Sequence, residues 1–400
     1  MNGHCLIVQS GGPTAVINNS LIGIVDEALK SSFTGEIYGA VGGLHGLLNG
    51  CFLNLHHLST EERYRLRWTP GAALGSWRYK LTLNDIEKIV EILKKADIRY
   101  FFFIGGNGSM NVARMVDEQA KKIGYELKVI GVPKSIDNDL IGTDHSPGFG
   151  SAAKFLATCM LDIKMDMKSY MASNRITIIE TMGRHAGWLA GACSLVEGIN
   201  DNCEHLIYIP EIPFDMNSFL KKMQSLNDKK RSAIVVVSEG IRDDKGQVIS
   251  ENNLDQDILG RPKLGGVSSY LKEVIEEETG MQARYILPST WQRSSMLFAA
   301  GTDVMEAYKV GQKAWCFAMK NYSGVMIGLK RNNETNEYQI SYEAVLLEQV
   351  AGKERFVPRD WYDQDKFSMS TEFKEYVRPI IQGEMVLPMQ NGLPVYGHVI

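Results

Sequence analysis

Lys128-Val129-Ile130-Gly131-Val132-Pro133-Lys134-Ser135-Ile136-Asp137-Asn138-Asp139 changes character halfway along. Its first five residues form a short apolar run without polar alternation, the pattern of a strand buried on both faces. The next seven are mostly polar, carrying a lysine and two carboxylates. Other runs of the first kind are Cys5–Gln9, Glu36–Val41, Tyr100–Ile104, Ile176–Glu180, His205–Ile209, Ala233–Ser238, Tyr285–Leu287 and Val325–Ile327. Helix-like segments separate most of them. Asn84–Lys95 has a 3.6-period stripe of Ile86, Ile89, Val90 and Leu93. Ser109–Ile123, Ser151–Met167, His185–Val196, Phe214–Leu226 and Ser268–Glu278 also read as helices, and another opens near Ala15. Alternation of this kind predicts an α/β architecture of mainly parallel sheets covered by helices, and 400 residues accommodate two such units.

Ligands of open α/β sheets bind beyond the carboxyl ends of the strands, so the turns after the strands hold the candidate chemistry. Ser10-Gly11-Gly12-Pro13-Thr14 and Gly105-Gly106-Asn107-Gly108-Ser109 each read as a tight strand-to-helix turn or as a backbone cradle for phosphate. Neither is a Walker loop, and Gly106-x-Gly108 followed by Asn111 breaks the dinucleotide fingerprint. In 133–139, Asp137 and Asp139 share one turn with Lys134. Phosphoryl transfer needs a carboxylate to accept a hydroxyl proton, a ligand for Mg²⁺ and cations on the moving oxygens, and this turn offers all three. Met182-Gly183-Arg184, Ser238-Glu239-Gly240, Arg284 and Gln292-Arg293 add strand-end groups suited to phosphate and to sugar hydroxyls.

Taken in order, these motifs resemble the 6-phosphofructokinase family from about residue 5 to 310. Further matching pieces are Gly142-Thr143-Asp144 and Pro147-Gly148-Phe149. The wording of Gly11–Asn18 and the chain length are similar to the bacterial pyrophosphate-dependent branch. The resemblance implies two doubly wound, Rossmann-like domains. Residues 1–149 would form the phosphoryl-donor domain, completed by about 294–312, and 150–293 the fructose 6-phosphate domain. Residues 313–400 are expected as a C-terminal extension packed mainly on the second domain. The implied activity is Mg²⁺-dependent transfer of a phosphoryl group from pyrophosphate to the 1-hydroxyl of fructose 6-phosphate.

By the same resemblance Asp137 is the general base, acting with Lys134 and Arg184. Gly12, Arg78, Gly108 and Lys134 lie on the donor side. Ser135, Ile136, Met182, Gly183, Glu239 and Arg293 frame the sugar phosphate, and Asn107 with Asp139 organises the metal. Arg175 and Arg284 match arginines lent to a neighbouring subunit, which implies a homodimer or homotetramer.

The donor stays open between two readings. Lys134 matches pyrophosphate users, whereas Gly108 lacks the acidic side chain they typically carry. Leu44 replaces an aromatic that packs on adenine in bacterial ATP users, and Thr290 replaces their histidine. The expectation favours pyrophosphate over ATP. A reading of another class, a non-catalytic regulatory paralogue that binds sugar phosphate, is opposed by the intact set Asp137, Asp139, Arg184 and Glu239.

Composition narrows the partners. A net charge of −4 argues against nonspecific binding to nucleic acid or membranes. The six cysteines form no Cys-x-x-Cys pair and suit a reducing compartment, so a cytoplasmic location is expected. No apolar run approaches the ~18 residues of a membrane span. His56-His57 reads as a surface pair, His185 as a packed or hydrogen-bonded side chain, and the methionines as core filler.

Overall fold

The computed structural model describes residues 3–169, 175–199, 203–249, 264–332 and 337–398. The chain divides into two compact units. Unit 1 comprises 1–151, 293–355 and 382–400, and unit 2 comprises 152–292 and 356–381.

Unit 1 is built on β1 (His4–Gln9), β2 (Ile37–Ala40), β3 (Phe52–Asn54), β4 (Ile98–Gly105) and β5 (Lys128–Pro133). The sheet of unit 2 consists of β6 (Arg175–Thr181), β7 (Glu204–Tyr208), β8 (Ala233–Ser238) and β9 (Gln282–Ile286), in the order β7-β8-β6-β9 and wholly parallel. The chain then returns to unit 1 with β10 (Val325–Arg331) and β11 (Ile340–Leu346), giving the seven-stranded order β11-β10-β5-β4-β1-β2-β3. Its central pairs are parallel, while β3 and β11 close the two edges antiparallel.

β4 shows why these strands lack alternation. Successive side chains on a strand point to opposite faces, and here both faces are covered. Phe102 joins the cluster of Ile7, Ile22 and Trp315, and Phe101 and Phe103 join Ile86, Val90 and Met110 on the other side. The helix Leu83–Lys95 buries the expected stripe, and a Thr82–Asp85 capping box starts it. In unit 2, Ile176, Ile178, Val235 and Val237 pack with Phe219, Met223 and Leu271.

The helix that follows the first strand starts at Ile17 rather than near Ala15. It lies against the helix Gly301–Met319, whose close approach depends on glycine. A β-carbon on Gly23 would stand 2.1 Å from the carbonyl oxygen of Tyr308, and one on Gly311 equally near that of Ser20.

The C-terminal expectation needs correction. Residues 313–355 belong to unit 1, because β10 pairs with β5 and β11 extends the same sheet. Only 356–381 packs on unit 2, where Phe373 stacks on Trp188 and fills the space left open at Gly191. The chain then returns to unit 1, and the Gly397 amide donates to Thr69 Oγ1 at 2.8 Å.

Candidate active site

Three strand-end turns of unit 1 come together because β5, β4 and β1 are neighbours in the sheet. Gln9 pairs with Ile104 and Gly105 with Pro133, so the turns after these residues emerge at one edge.

Two buried amides shape the first turn. Gln9 Nε2 donates to Asn18 Oδ1 at 2.9 Å, and Gln9 Oε1 accepts the Leu74 amide. Asn18 in turn accepts from Ala73 and donates to the Thr69 carbonyl. These bonds hold 69–76 beside Gly11, whose φ of 78° is a left-handed conformation that suits glycine. Ser76 Oγ donates to the Gly11 carbonyl at 2.7 Å. The result is an open cleft of about 480 Å³ lined by Gly11, Gly12, Ser76, Arg78 and Arg293, among others. Sequence reasoning did not assign Gln9, Asn18 or Ser76. The available signal was a pair of amides within otherwise apolar faces.

Lys134 enters this region from the end of β5. It is 4% exposed, and its Nζ donates to the Gly12 carbonyl oxygen at 2.6 Å. Burial brings its pKa down to about 8, against the pull of Asp137 and Asp139 and with the help of Arg293 and Arg78. The following turn is internally braced. Ser135 Oγ donates to Asp139 Oδ1 at 2.7 Å and accepts the Asp137 amide at 3.2 Å. Asn138 sits at φ 53°, fully buried, and its Oδ1 accepts the Ser146 amide. The flanking Asp137 and Asp139 are both half-buried. Burial raises the Asp139 pKa, and the Ser135 bond opposes it. Ile136 is buried beside them.

In the second turn, Gly105 ends β4 and Asn107 opens the helix Asn107–Lys122. Gly108 is exposed, and a β-carbon there would meet nothing within 4 Å. Asn107 bonds the backbone at 352 and 353. Its Oδ1 accepts the Gly352 amide at 2.9 Å, and its Nδ2 donates to the Lys353 carbonyl at 2.5 Å.

Unit 2 builds a second set of groups at the carboxyl edge of its own sheet. Thr181 of β6 pairs with Ser238 of β8, which sets Met182-Gly183-Arg184 beside Glu239-Gly240. The Glu239 amide donates to the Thr181 carbonyl, and Ser238 Oγ donates to that of Gly183 at 2.5 Å. Gly183 has φ 135°, and a β-carbon would strike the Ala186 carbonyl oxygen at 2.6 Å. The Met182 amide donates to Gln292 Oε1. Arg184 and Glu239 are half-buried.

Arg175 and Arg284 are not part of this edge. Arg175 begins β6, six residues before Thr181, about 20 Å along the strand. Arg284 pairs with Thr177, about 13 Å short of Thr181. Its Nε donates to Thr177 Oγ1 at 3.0 Å, and its Nη2 pairs with Asp166 at 2.8 Å. Arg293, expected with the sugar-phosphate groups, belongs to unit 1 and lines the Gly12 cleft.

In both units polar side chains stand on the turns after parallel strands, an arrangement that suits an α/β phosphotransferase. The chain belongs to the phosphofructokinase family, whose model, described as "Phosphofructokinase", matches residues 4–318. It is 37% identical to a pyrophosphate–fructose 6-phosphate 1-phosphotransferase of Halomonas elongata, over 98% of this chain and 94% of that one. A sulfofructose kinase of Alkalicoccus urumqiensis is 34% identical, over 90% and 92% of the two chains. The crystal structure of a pyrophosphate-dependent phosphofructokinase from Nitrosospira multiformis superposes with a TM-score of 0.89 at 35% identity, covering 98% of this chain and 95% of that one.

Among the described residues, no helix is long and apolar enough to cross a membrane.

Proposed function

We propose that this protein transfers a phosphoryl group from pyrophosphate to the 1-hydroxyl of fructose 6-phosphate, giving fructose 1,6-bisphosphate and phosphate, in the cytoplasm and as a homo-oligomer. The observation that carries the reading is Lys134, a nearly buried ammonium fixed on the Gly12 carbonyl beside Arg78. A compact anion without a nucleoside has only its phosphates to hold, so it needs such a concentration of cations. The relatives from Halomonas elongata and Nitrosospira multiformis support the same donor.

Asp137 accepts the proton of the attacking hydroxyl. Its amide donates to Ser135 Oγ, which braces the turn that carries it. Lys134, Arg78 and the backbone of Gly12 hold the donor, with Gly108 at its far side. Arg184 takes up charge on the moving phosphoryl group. Met182, Gly183, Glu239, Ser135 and Ile136 bind the sugar phosphate. Arg175 and Arg284, at the other reach of their sheet, serve the 6-phosphate of a neighbouring subunit.

The residues fit Mg²⁺ through Asp139. Its partly desolvated carboxylate favours a cation, and Mg²⁺ usually binds through one or two carboxylates together with substrate phosphates. Asn107 is left out of this set, since both ends of its amide hold the backbone at 352 and 353. When bound, the ion would neutralise charge on the donor oxygens.

One feature favours ATP as donor: the open space at Gly108 leaves room for a nucleotide's α-phosphate. A coupled assay with fructose 6-phosphate and Mg²⁺, run separately with each donor, decides between them. Turnover with pyrophosphate and little with ATP is expected, and the reverse result overturns the reading. Asp137→Asn should cost roughly 10²–10⁴-fold in kcat, and near-normal turnover would remove Asp137 as the base.

A further inference from the structure

The side chains of 76–79 divide in alternation between two tasks. Ser76 Oγ donates to the Gly11 carbonyl, and Arg78 Nη2 would stand 3.8 Å from a β-carbon on Gly12. Both line the cleft over the Gly11–Gly12 turn. Trp77 and Tyr79, the alternate residues, do not line it. They stack on each other, with ring centroids 4.5 Å apart and ring planes 7° from parallel. An extended segment presents successive side chains to opposite faces, so a stack between residues two apart commits the residue between them to the other face. That residue is Arg78. Trp77 is 37% exposed and Tyr79 38%, so the pair is not core filler.

Both rings are anchored. His45 meets Trp77 edge-on, with centroids 5.5 Å apart and planes at 84°. The turn before His45 is in backbone contact with the same segment. A β-carbon on Gly75 would stand 3.1 Å from Gly42 Cα, and the Gly42 amide donates to the Leu74 carbonyl at 2.6 Å. On the other side, Tyr79 Oη donates to Asp85 Oδ2 at 3.5 Å, the carboxylate that also accepts the Thr82 amide. Among the described residues, no carboxylate forms an ion pair with Arg78, so the backbone that carries it sets where its guanidinium stands. We infer that Trp77 is a positioning residue: clamped between His45 and Tyr79, it holds 76–80 so that Arg78 meets the phosphates of the donor. A side chain held in its bound place loses less freedom when the ligand arrives. The inference rests on the donor role given to Arg78 above.

A double-mutant cycle tests it, read by calorimetric titration of the full-length enzyme with methylenediphosphonate, an analogue of pyrophosphate, in Mg²⁺ buffer without sugar. Arg78→Met removes a charged hydrogen-bond donor and should weaken binding roughly 10–100-fold. Trp77→Ala removes two ring contacts and should weaken it roughly 5–20-fold, while Trp77→Phe keeps a ring and should recover most of that loss. In the Arg78→Met background, Trp77→Ala should cost less than about twofold more, because a residue that acts through Arg78 then has nothing to position. Fructose 6-phosphate, titrated separately, should bind the Trp77 variants within about twofold of wild type. Thermal melts identify any variant that fails to fold. Tyr79→Leu, which removes the stack and leaves Trp77, then carries the test with the same expectations. Unchanged bisphosphonate affinity in Trp77→Ala, equal losses for both ligands, or losses that multiply in the double variant overturn the inference. If Arg78→Met binds like wild type, Arg78 has no donor role and the inference falls with it. If wild type binds the β,γ-methylene analogue of ATP and no bisphosphonate, the pyrophosphate reading fails, and the same cycle run with that analogue decides Trp77 alone.

Discussion

Lys134 Nζ and the Gly12 carbonyl oxygen lie 2.6 Å apart, joining the end of β5 to the turn after β1 across the intervening β4. Neighbouring strands are about 4.8 Å apart, so the two strand ends stand about 10 Å apart, a gap that the side chain, its hydrogen bond and the curl of the turn close together. Only a long stem does this, and the bond brings an ammonium to the backbone that the donor must approach. Gly11 has no side chain to obstruct it, and any β-carbon there would stand 3.3 Å from the ammonium.

The pH profile should report that ammonium. Burial lowers its pKa to about 8, so it is charged below that pH and loses its charge above it. The donor is an anion, and the cationic form is the competent one. The effect belongs to free enzyme and should appear in kcat/KM for pyrophosphate, which is expected to fall as pH rises through about 8. Lys134→Arg should move this alkaline limb upward, because a guanidinium keeps its charge. Lys134→Met should remove the limb and lower kcat/KM roughly 10–100-fold. A limb left in place in both variants would show that another group titrates.

Gly108→Asp is expected to separate the donors. The position is exposed, and its β-carbon would enter open space, so the helix Asn107–Lys122 accepts the side chain without a clash. An added carboxylate repels a nucleotide's α-phosphate, and like-charge contacts can cost several kcal/mol. Any ATP-supported rate should therefore disappear, with pyrophosphate kcat/KM kept within a few-fold. Equal losses for both donors would end this account of selection.

Gly183→Ala should weaken sugar binding and leave donor binding intact. The residue stands at φ 135°, and a methyl group would press on the Ala186 carbonyl oxygen at 2.6 Å and on Ser238 Oγ at 2.7 Å. Strain of this kind costs about 1–3 kcal/mol and displaces the neighbouring Arg184 and Glu239. The KM for fructose 6-phosphate should rise at least tenfold, while methylenediphosphonate binding stays unchanged. A normal sugar KM would show that this turn does not shape the sugar site.

What the sequence disclosed and what it concealed divide along physical lines. Strands buried on both faces announce themselves as apolar runs, and β1, β4, β5, β6 and β8 all fall where such runs lie. The helix Gly301–Met319 does not, because much of its buried face is small, with Ala307, Gly311, Ala314 and Ala318, and small residues leave a weak stripe. β11 is an edge strand with exposed residues, and it reads as polar chain. The turns with chemistry were legible from their residue types and order. The tertiary partners of their residues were not. Nothing local tells that the chain changes units between Gln292 and Arg293, or that Asn107 would meet the backbone at 352 and 353.

The buried cluster around His145 gives the last prediction, one of stability. His145 is fully buried, with Nδ1 2.9 Å from Asp144 and Nε2 2.6 Å from Glu306. Arg331 pairs with the same Asp144, and Tyr338 donates to Glu306, while Asp303 adds a more distant charge. Burial alone would lower the imidazolium's pKa, but Glu306 and Asp144 more than offset it and hold the value at about 9. A raised pKa stabilises the fold fully below the unfolded value of about 6.5, and that stabilisation is lost as pH rises through about 9. The shift corresponds to about 3 kcal/mol. Lys134 acts in the opposite sense, since its lowered pKa makes the fold gain stability from about pH 8 upward. Comparison with His145→Gln isolates the histidine. In urea melts the variant should be less stable than wild type at pH 6.5, and the gap should shrink by about 3 kcal/mol by pH 9.5. A gap that does not change with pH would mean that His145 is buried neutral and that its two carboxylates are balanced by other groups.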